Sequence, residues 1–176
     1  MPHDHKPMPC FIALFQLLQG ILFFCPCFVN GQNTDREALL EPVNRMFRAM
    51  EAGDSALLRT AFYHDVHLTT LIADPAGEVT GLSRETGLDG FLRAVAAPKT
   101  HPYREPIYNI RVQQEGGFAQ VWADYAFYIG TDFHHCGVDT FQLIRTTGGW
   151  KIFYLADTRQ KTGCKVPSKI ARAYGK

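Results

Sequence analysis

Residues 118–158, FAQVWADYAFYIGTDFHHCGVDTFQLIRTTGGWKIFYLADT, carry the strongest structural pattern in the chain. Apolar and polar residues alternate along three runs rich in β-branched and aromatic side chains, which is typical of strands with one buried face. Turn residues separate these runs, and a further run at 108–114 ends at Glu115-Gly116-Gly117. The pattern therefore predicts an antiparallel meander of four strands, 108–114, 118–129, 134–145 and 150–157.

The residues before the meander predict helices. Thr34 and Glu37 form a capping box, and apolar residues then recur at helical spacing until Gly53. Asp54 can cap a second helix, because an aspartate side chain accepts a hydrogen bond from the first backbone amides of a helix. A third helix is predicted over residues 88–96.

Two short strands, 64–72 and 78–82, are predicted between the second and third helices. Helices gathered first and strands gathered last exclude the alternating order of a doubly wound parallel fold. The predicted class is α+β, with N-terminal helices packed on a strongly curved antiparallel sheet.

The composition describes one folded domain. The chain has 176 residues, of which 46% are apolar and 20% charged. Eighteen Lys and Arg against seventeen Asp and Glu leave a net charge of +1, too little for a surface that holds a phosphate backbone. We therefore expect no nucleic-acid partner.

Residues 1–31 have the layout of a secretory signal peptide. An apolar run over residues 11–25 follows Lys6, and small residues precede Gln32. A retained membrane anchor, an internal helix and a lipidated cysteine are the alternatives. Cleavage would leave a domain at 32–160 and a polar C-terminal tail at 161–176, in a secreted or periplasmic protein without a membrane attachment.

Cys136 and Cys164 would remain after cleavage, in a compartment that permits disulfides. The sequence leaves their pairing open, because it does not bring their Cα atoms within bonding range. His134, His135 and Cys136 are consecutive, so on a regular strand their side chains alternate between the two faces. We therefore expect neither a metal site nor a cofactor. The face of Cys136 offers only Phe127 opposite and His134 diagonally, so we do not expect Cys136 to be a nucleophile.

Several motifs in this order resemble the nuclear transport factor 2-like superfamily. They are Ala52-Gly53-Asp54, Tyr63-His64-Asp65-Val66 and Gly149-Trp150-Lys151-Ile152. The runs 133–139, 141–143 and 157–159 are similar to a lumazine-binding-like bacterial subgroup. The resemblance covers residues 35–159 and implies a conical half-barrel with an internal pocket, a fold that hosts isomerases, dehydratases, cyclases, epoxide hydrolases and binding modules. The position of the general base in the ketosteroid isomerases of this superfamily corresponds to Thr70, which cannot abstract a proton.

The central hairpin predicts the polar groups of that pocket. In a hairpin with a two-residue turn centred on Thr131 and Asp132, three cross-strand pairs of interest lie on the same face. The pairs are Trp122 with Phe141, Asp124 with Asp139, and Tyr128 with His135. If this face is instead solvated, the core lies on the other face and consists of Val121, Ala123, Tyr125, Phe127, Val138 and Ile144. The prediction also depends on the register, because a turn shifted by one residue would no longer place Asp124 opposite Asp139.

These pairs define the candidate site. Asp124, Asp139 and His135 are its candidate catalytic residues, because two facing carboxylates titrate separately and can act as acid and base. The candidate ligand-binding residues are Trp122, Tyr128, Phe141, Thr70 and Leu68. His67 is expected on the outer face, and Arg145, Lys151, Arg159 and Lys161 on a solvated surface.

The favoured function is binding of a small, partly apolar molecule. The alternatives are a cofactor-independent lyase or isomerase that uses the three candidate catalytic residues, and a scaffold that pairs subunits. Apolar residues on both hairpin faces predict a homodimer, since a monomer buries only one face.

Overall fold

The computed structural model describes residues 31–74 and 76–176. The predicted signal peptide lies outside these residues, apart from Gly31 at its end. The elements are α1 (Gly31–Ala52), α2 (Ser55–Ala61), β1 (Phe62–Ala73), β2 (Val79–Thr86), α3 (Asp89–Ala96), β3 (Tyr103–Arg104), β4 (Ile107–Glu115), β5 (Phe118–Ile129), β6 (Asp132–Thr146), β7 (Gly149–Thr158) and α4 (Ser168–Tyr174). None of the helices in the described part of the chain combines the length and apolar character needed to span a membrane.

The seven strands form one curved sheet that does not close. Its order is β2-β1-β7-β6-β5-β3, and β4 also pairs with β5. The predicted α+β class with a curved half-barrel sheet is confirmed, but the sheet is mixed because β1 and β7 are parallel. This parallel pair returns the last strand of the meander to the first strand, and it brings the ends of β1 and β7 together.

Helices α1, α2 and α3 cover the concave face of the sheet. Leu39 and Val43 of α1 are fully buried against Val121, Phe141 and other apolar residues of the sheet. The chain turns after α1 at Gly53, whose φ of +70° suits glycine. Asp54 then caps α2, as predicted, by accepting a hydrogen bond from the backbone amide of Leu57 at 2.8 Å.

The four meander strands are confirmed to within two residues at each end, but two elements are absent from the sequence prediction. One is the two-residue strand β3, which pairs with the end of β5. The other is α4, which lies in the predicted polar tail. Tyr174 of α4 stacks on Tyr128 with ring centroids 6.0 Å apart, so this tail packs on the convex face of the sheet.

A disulfide joins Cys136 to Cys164 and ties the tail to β6, with Cα atoms 6.0 Å apart. The backbones of Cys136 and Gln160 also exchange two hydrogen bonds of 2.9 and 2.8 Å. The sequence left this pairing open, because it depends on the path of the chain after β7.

Candidate functional site

The hairpin of β5 and β6 has a different register from the predicted one. Ile129 pairs with Asp132, so the two turn residues are Gly130 and Thr131 rather than Thr131 and Asp132. Gly130 has a φ of +65°, and a tight hairpin favours glycine where φ is positive. The turn therefore starts one residue earlier, and the register shifts again between Tyr128 and Phe127, where β6 contains one extra residue, His134.

The predicted pair of Asp124 and Asp139 is consequently wrong. Asp139 pairs with Ala123 and Asp124 pairs with Val138, so the two carboxyl groups lie on opposite faces of the sheet. On the convex face, the Asp124 carboxylate accepts a hydrogen bond of 2.7 Å from the Asn109 side chain.

The other predicted residues also divide between the faces. Trp122 is on the convex face with 38% of its surface exposed, and Tyr128 lies on that face under α4. Phe141 is on the concave face but is fully buried, in edge contact with Phe47. Leu68 and Thr70 line the internal cavity, and the exposed His67 points to the convex face as predicted.

The cavity has a volume of about 440 Å³ and lies between the concave face and the helices α1 and α3. One part of its lining is apolar, and the other part is polar. The apolar part includes Met46, Met50, Leu68, Phe91, Ala94, Tyr103, Phe127, Ile129 and Leu155. The polar part, which we call the polar end, comprises Thr70, Glu105, Tyr125, His134, His135, Asp139, Asp157 and Arg159.

Four residues of the concave face form a row across the sheet. Ala123 of β5 pairs with Asp139, Asp139 pairs with Asp157 of β7, and Asp157 pairs with Thr70 of β1. Ala123 is small and leaves room beside the Asp139 carboxyl group. The row brings two carboxyl groups side by side in the cavity wall, where repulsion between them favours a bound proton.

Asp157 is stabilised as a carboxylate by two donors. Its Oδ1 accepts a hydrogen bond of 2.6 Å from the Thr70 hydroxyl, and its Oδ2 accepts one of 2.6 Å from Nε of Arg159. Arg159 also donates to the Thr70 hydroxyl at 3.2 Å. The position that corresponds to the isomerase base thus carries a hydroxyl group that orients a neighbouring carboxylate.

Glu105 and Asp139 are neighbouring acidic side chains in the lining of the polar end. Burial raises the pKa of Asp139 well above its usual value, and the nearby Glu105 and Asp157 raise it further. Burial likewise raises the pKa of Glu105, to about 7. Oδ2 of Asp139 is buried and has no hydrogen-bond partner among the described residues. A carboxylate accepts only, so a hydrogen bond within the pair requires one of its two members to be protonated.

Tyr125 crosses the cavity wall over Gly137. The two residues are cross-strand partners, and the Tyr125 hydroxyl donates a hydrogen bond of 2.8 Å to the Thr158 carbonyl. A Cβ atom on Gly137 would lie 1.9 Å from that carbonyl oxygen, so only glycine fits there. Burial, followed by the nearby carboxyl groups, raises the pKa of Tyr125 and keeps its phenol protonated.

A β-bulge brings two histidines to the cavity. Phe127 pairs with His135 and Tyr128 pairs with Phe133, so His134 is an extra residue on β6. This bulge breaks the alternation that the sequence predicted, and both rings line the cavity with their Nδ1 atoms 2.7 Å apart. Burial and the nearby Arg159 lower the pKa of His135 to about 4, so its imidazole is neutral at pH 7.

The sequence prediction gave no site role to five residues of the polar end, of which Tyr125 was assigned to the alternative core and His134 was considered only as a metal ligand or as a base for Cys136. Glu105 lies between β3 and β4, where no alternation marks a strand, and its position before Pro106 was the available signal. Asp157 belonged to a motif of the resemblance but received no role, and Arg159 was predicted to be solvated. The Arg159 side chain is 57% exposed, yet its guanidinium holds Asp157. Across residues 31–74 and 76–176, no three His, Cys, Asp or Glu side chains are grouped so that they could hold a metal ion.

Solved structures with this fold are numerous. An NTF2-like protein with a cystatin-like fold from Novosphingobium aromaticivorans is 17% identical, with a TM-score of 0.59, over 80% of this chain and 88% of that one. An NTF2-like superfamily protein from Salmonella enterica serovar Typhimurium is 17% identical, with a TM-score of 0.58, over 77% and 99%. A "putative dehydratase from the NTF2-like family" of Streptomyces avermitilis is 18% identical, with a TM-score of 0.58, over 74% and 99%. At these identities the similarity shows the fold alone.

The sequence itself matches a family profile. No curated protein is significantly similar to the chain. Residues 34–154 match the family described as "Putative lumazine-binding", a range that runs from α1 into β7 and includes Thr70, Glu105 and Asp139. Since this range covers well over half of the chain, the chain belongs to the "Putative lumazine-binding" family, and its fold is the one that the nuclear transport factor 2-like resemblance predicts.

Proposed function

We propose that the protein binds a small, partly apolar molecule in its cavity. The observation that carries this proposal is a cavity of about 440 Å³ with an apolar wall and a separate polar end. Small-molecule sites commonly enclose roughly 300–1,000 Å³ and combine apolar walls with a few convergent polar groups. The family description supports ligand binding in the same general sense.

The polar end would orient the ligand. The pair of Glu105 and Asp139 offers one carboxylate acceptor and one carboxylic acid donor, so a ligand group can receive and donate a hydrogen bond at one place. The apolar body of the ligand would lie against Met46 and Phe91, which belong to α1 and α3 and face the sheet.

Titration with N-phenyl-1-naphthylamine, a neutral probe whose fluorescence rises in apolar surroundings, tests this proposal. Leu68→Trp places a large ring in the cavity and should weaken probe binding at least tenfold. Leu82→Trp makes the same exchange at an exposed position of β2 and serves as the control. Circular dichroism checks that both variants fold. If Leu68→Trp does not fold, Ala94→Trp fills the cavity from α3 instead. Equal probe binding by a folded cavity-filled variant and the control would refute the proposal.

Proton transfer is a second candidate function, favoured by the carboxyl pair. One carboxylate could remove a proton from the carbon beside a ketone while the protonated partner donates to the carbonyl oxygen. The new carboxylic acid then exchanges its proton for a deuteron from D₂O, and the reverse transfer delivers deuterium to the carbon. Incubation with 2-tetralone in D₂O would reveal this as deuterium at C1 in the NMR spectrum. Asp139→Asn should slow the catalysed exchange by about 10²-fold or more. Asp124→Asn, on the other face, should not change it.

We further propose a homodimer formed through the convex face. Phe118 and Trp122 lie on that face of β5 and are 44% and 38% exposed. A stable interface would bury on the order of 1,600 Å² in total. Light scattering at micromolar concentration should report a dimer for the wild type and a monomer for Trp122→Glu. A monomeric wild type would contradict the proposal.

Export from the cytoplasm is the remaining proposal. The apolar run over residues 11–25 supports it, and so does the bond between Cys136 and Cys164, since disulfides persist in oxidising compartments. N-terminal sequencing of protein from the native host should begin at Gln32. A cytoplasmic chain that begins at Met1 would contradict this proposal.

A further inference from the structure

The polar end of the cavity carries an excess of acidic side chains. Glu105, Asp139 and Asp157 line it, and among the described lining residues Arg159 is the only Lys or Arg. Arg159 already donates to Asp157 at 2.6 Å, and most of its side chain lies in solvent. These two charges therefore offset each other, and the charge of the pair of Glu105 and Asp139 remains uncompensated.

Asp139 has an unused hydrogen-bonding position. The residue is 3% exposed and lines the cavity. Its Oδ2 has no hydrogen-bond partner among the described residues. A buried carboxylate oxygen gains most from a charged N–H donor, because charge-assisted hydrogen bonds are about twice as strong as neutral ones. A proton shared with Glu105 satisfies this oxygen only at the cost of holding two acidic groups together.

We propose that the polar end binds the ammonium group of a cationic amine, which donates hydrogen bonds to Asp139 and Glu105 while its aromatic or aliphatic body lies on the apolar wall. This inference rests on the proposed ligand-binding function and names the chemical class of the ligand. An ammonium group supplies the positive charge that the pair lacks when it holds a single proton. Phe91 and Phe127 of the apolar wall can add cation–π contacts.

The groups that face the pair support a preference for cations. His135, beside it on β6, is neutral at pH 7 because its pKa is lowered to about 4. A second cleft lies on the far side of Glu105, between α1, α4 and the start of β4, and besides Glu105 its lining has one acidic and one basic side chain, Glu51 and Arg48. The titratable and charged residues around the pair are Tyr125, His134, His135, Asp157 and Arg159 on the cavity side, and Arg48, Glu51 and Tyr174 on the cleft side.

The pH dependence of binding follows from the pair. Glu105 has a pKa of about 7, so below pH 7 the pair gains a second proton and loses its negative charge. A cation must then displace that proton, and its apparent affinity should rise about tenfold between pH 6 and pH 8. The affinity for a neutral ligand should change less than twofold over this range.

Three probes with the same ring and different charges test the inference. They are 2-(naphthalen-1-yl)ethylamine, the corresponding alcohol, and naphthalen-1-ylacetate, each titrated by calorimetry at pH 6 and pH 8. The amine should bind at least tenfold more tightly than the alcohol at pH 8, and the carboxylate should bind weakest. At pH 6, binding of the amine should release about one proton. This number follows from the difference in apparent binding enthalpy between buffers of different ionisation enthalpy.

Variants separate the pair from the rest of the cavity. Glu105→Gln should reduce the amine's advantage over the alcohol to less than threefold and leave the affinity for the alcohol unchanged. Glu115→Gln makes the same exchange at an exposed position at the end of β4, and it should behave as wild type. If Glu105→Gln does not fold, the change in the amine affinity of the wild type between pH 6 and pH 8 tests the inference, because this measurement needs no variant.

The outcomes distinguish this inference from the proposed function. If amine and alcohol bind equally at pH 8, or if the carboxylate binds best, the inference is refuted while ligand binding stands. If none of the probes binds at millimolar concentration, both the inference and the proposed function are refuted for molecules of this size. A tenfold preference for the amine that disappears in Glu105→Gln supports both.

Discussion

The concave face of the sheet has two halves that are equally buried and chemically opposite. In one half, Val121, Phe141 and Leu143 are fully buried and pack on α1. In the other half, Tyr125 and Asp139 are 1% and 3% exposed, but they border the cavity. We call these the filled half and the open half. Both lie on β5 and β6, so the difference comes from which side chains the helices place opposite each half.

The difference shows where stability and where function can reside. Close packing makes each methylene group of the filled half contribute to folding. Ionisable groups in the open half cost free energy when they are buried, and such groups are concentrated where proteins bind or react. Substitutions in the two halves should therefore have effects that differ in size and in their dependence on pH.

The largest effect is expected in the filled half. Phe141→Ala should lower the free energy of unfolding by about 3–5 kcal/mol, because it removes a buried ring and leaves a cavity beside Phe47. Denaturant titration measures the change. Phe133→Ala removes the same ring from a position that is 43% exposed and should cost less than about 1 kcal/mol. Equal costs for the two variants would contradict the assignment of Phe141 to the core rather than to the ligand site.

The next effect concerns the tail that covers the convex face behind the open half. Cys164→Ser breaks a bond that closes a loop with a sequence separation of 28 residues, and should destabilise the protein by about 2–4 kcal/mol. Hydrogen exchange should increase in α4 and around Tyr128, which α4 covers. Reduction of the wild type should reproduce the change, and reduction of Cys164→Ser should add nothing. A tail that remains protected in the reduced protein would contradict the role of the disulfide.

A smaller effect, dependent on pH, is expected in the open half. The pKa of Glu105 is raised from 4.5 to about 7, so the folded protein holds a proton that the unfolded chain has released in this range. The free energy of unfolding therefore falls as the pH rises from about 4.5 to 7, by on the order of 1–3 kcal/mol after solvent screening. Glu105→Gln should remove this decline. The stability of the variant relative to the wild type should therefore increase between pH 5 and pH 8.

The measurement for Glu105 is a comparison of melting temperatures of wild type and variant across that pH range. His135 acts in the opposite sense, because its pKa is lowered to about 4 and its contribution to stability is lost as the pH falls from 6.5 to 4. The difference between the two proteins isolates Glu105 from His135. A constant difference at every pH would mean that Glu105 does not change protonation on folding.

The sequence predicted the concave face of β5 better than that of β6, where it placed Phe141 with Trp122 and, in the alternative core, Val138 and Ile144 with Val121. Alternation along the four meander strands placed Val121 on one face with Ala123 and Tyr125, because strand periodicity does not depend on which residue starts a turn. The assignment of cross-strand partners does depend on it. Gly130 adopts the positive φ of the first turn residue and shifts the turn by one residue, and the bulge at His134 then places Asp124 and Asp139 on opposite faces.

Local features outside the strand pattern account for the other differences in the site. The bulge at His134 brings two neighbouring histidines to one cavity, which a regular strand does not allow. Glu105 reaches Asp139 across a long stretch of chain and belongs to no periodic segment. Such contacts depend on tertiary structure, and a single sequence without strand pairing contains little information about them.

The smallest effect is expected at Asp124, and it tests the register directly. Asp124→Asn replaces a carboxylate on the convex face that contacts Asn109, so the free energy of unfolding should change by no more than about 0.5 kcal/mol. Because the sheet separates the two side chains, the variant should leave the raised pKa of Asp139 unchanged, since burial and Glu105 are its causes. NMR titration of ¹³C-labelled carboxyl groups in wild type and variant measures this, with Glu105→Gln as the variant that should lower the pKa of Asp139. A fall in the pKa of Asp139 in Asp124→Asn would instead mean that the two aspartates share one face, and the observed register would then be wrong.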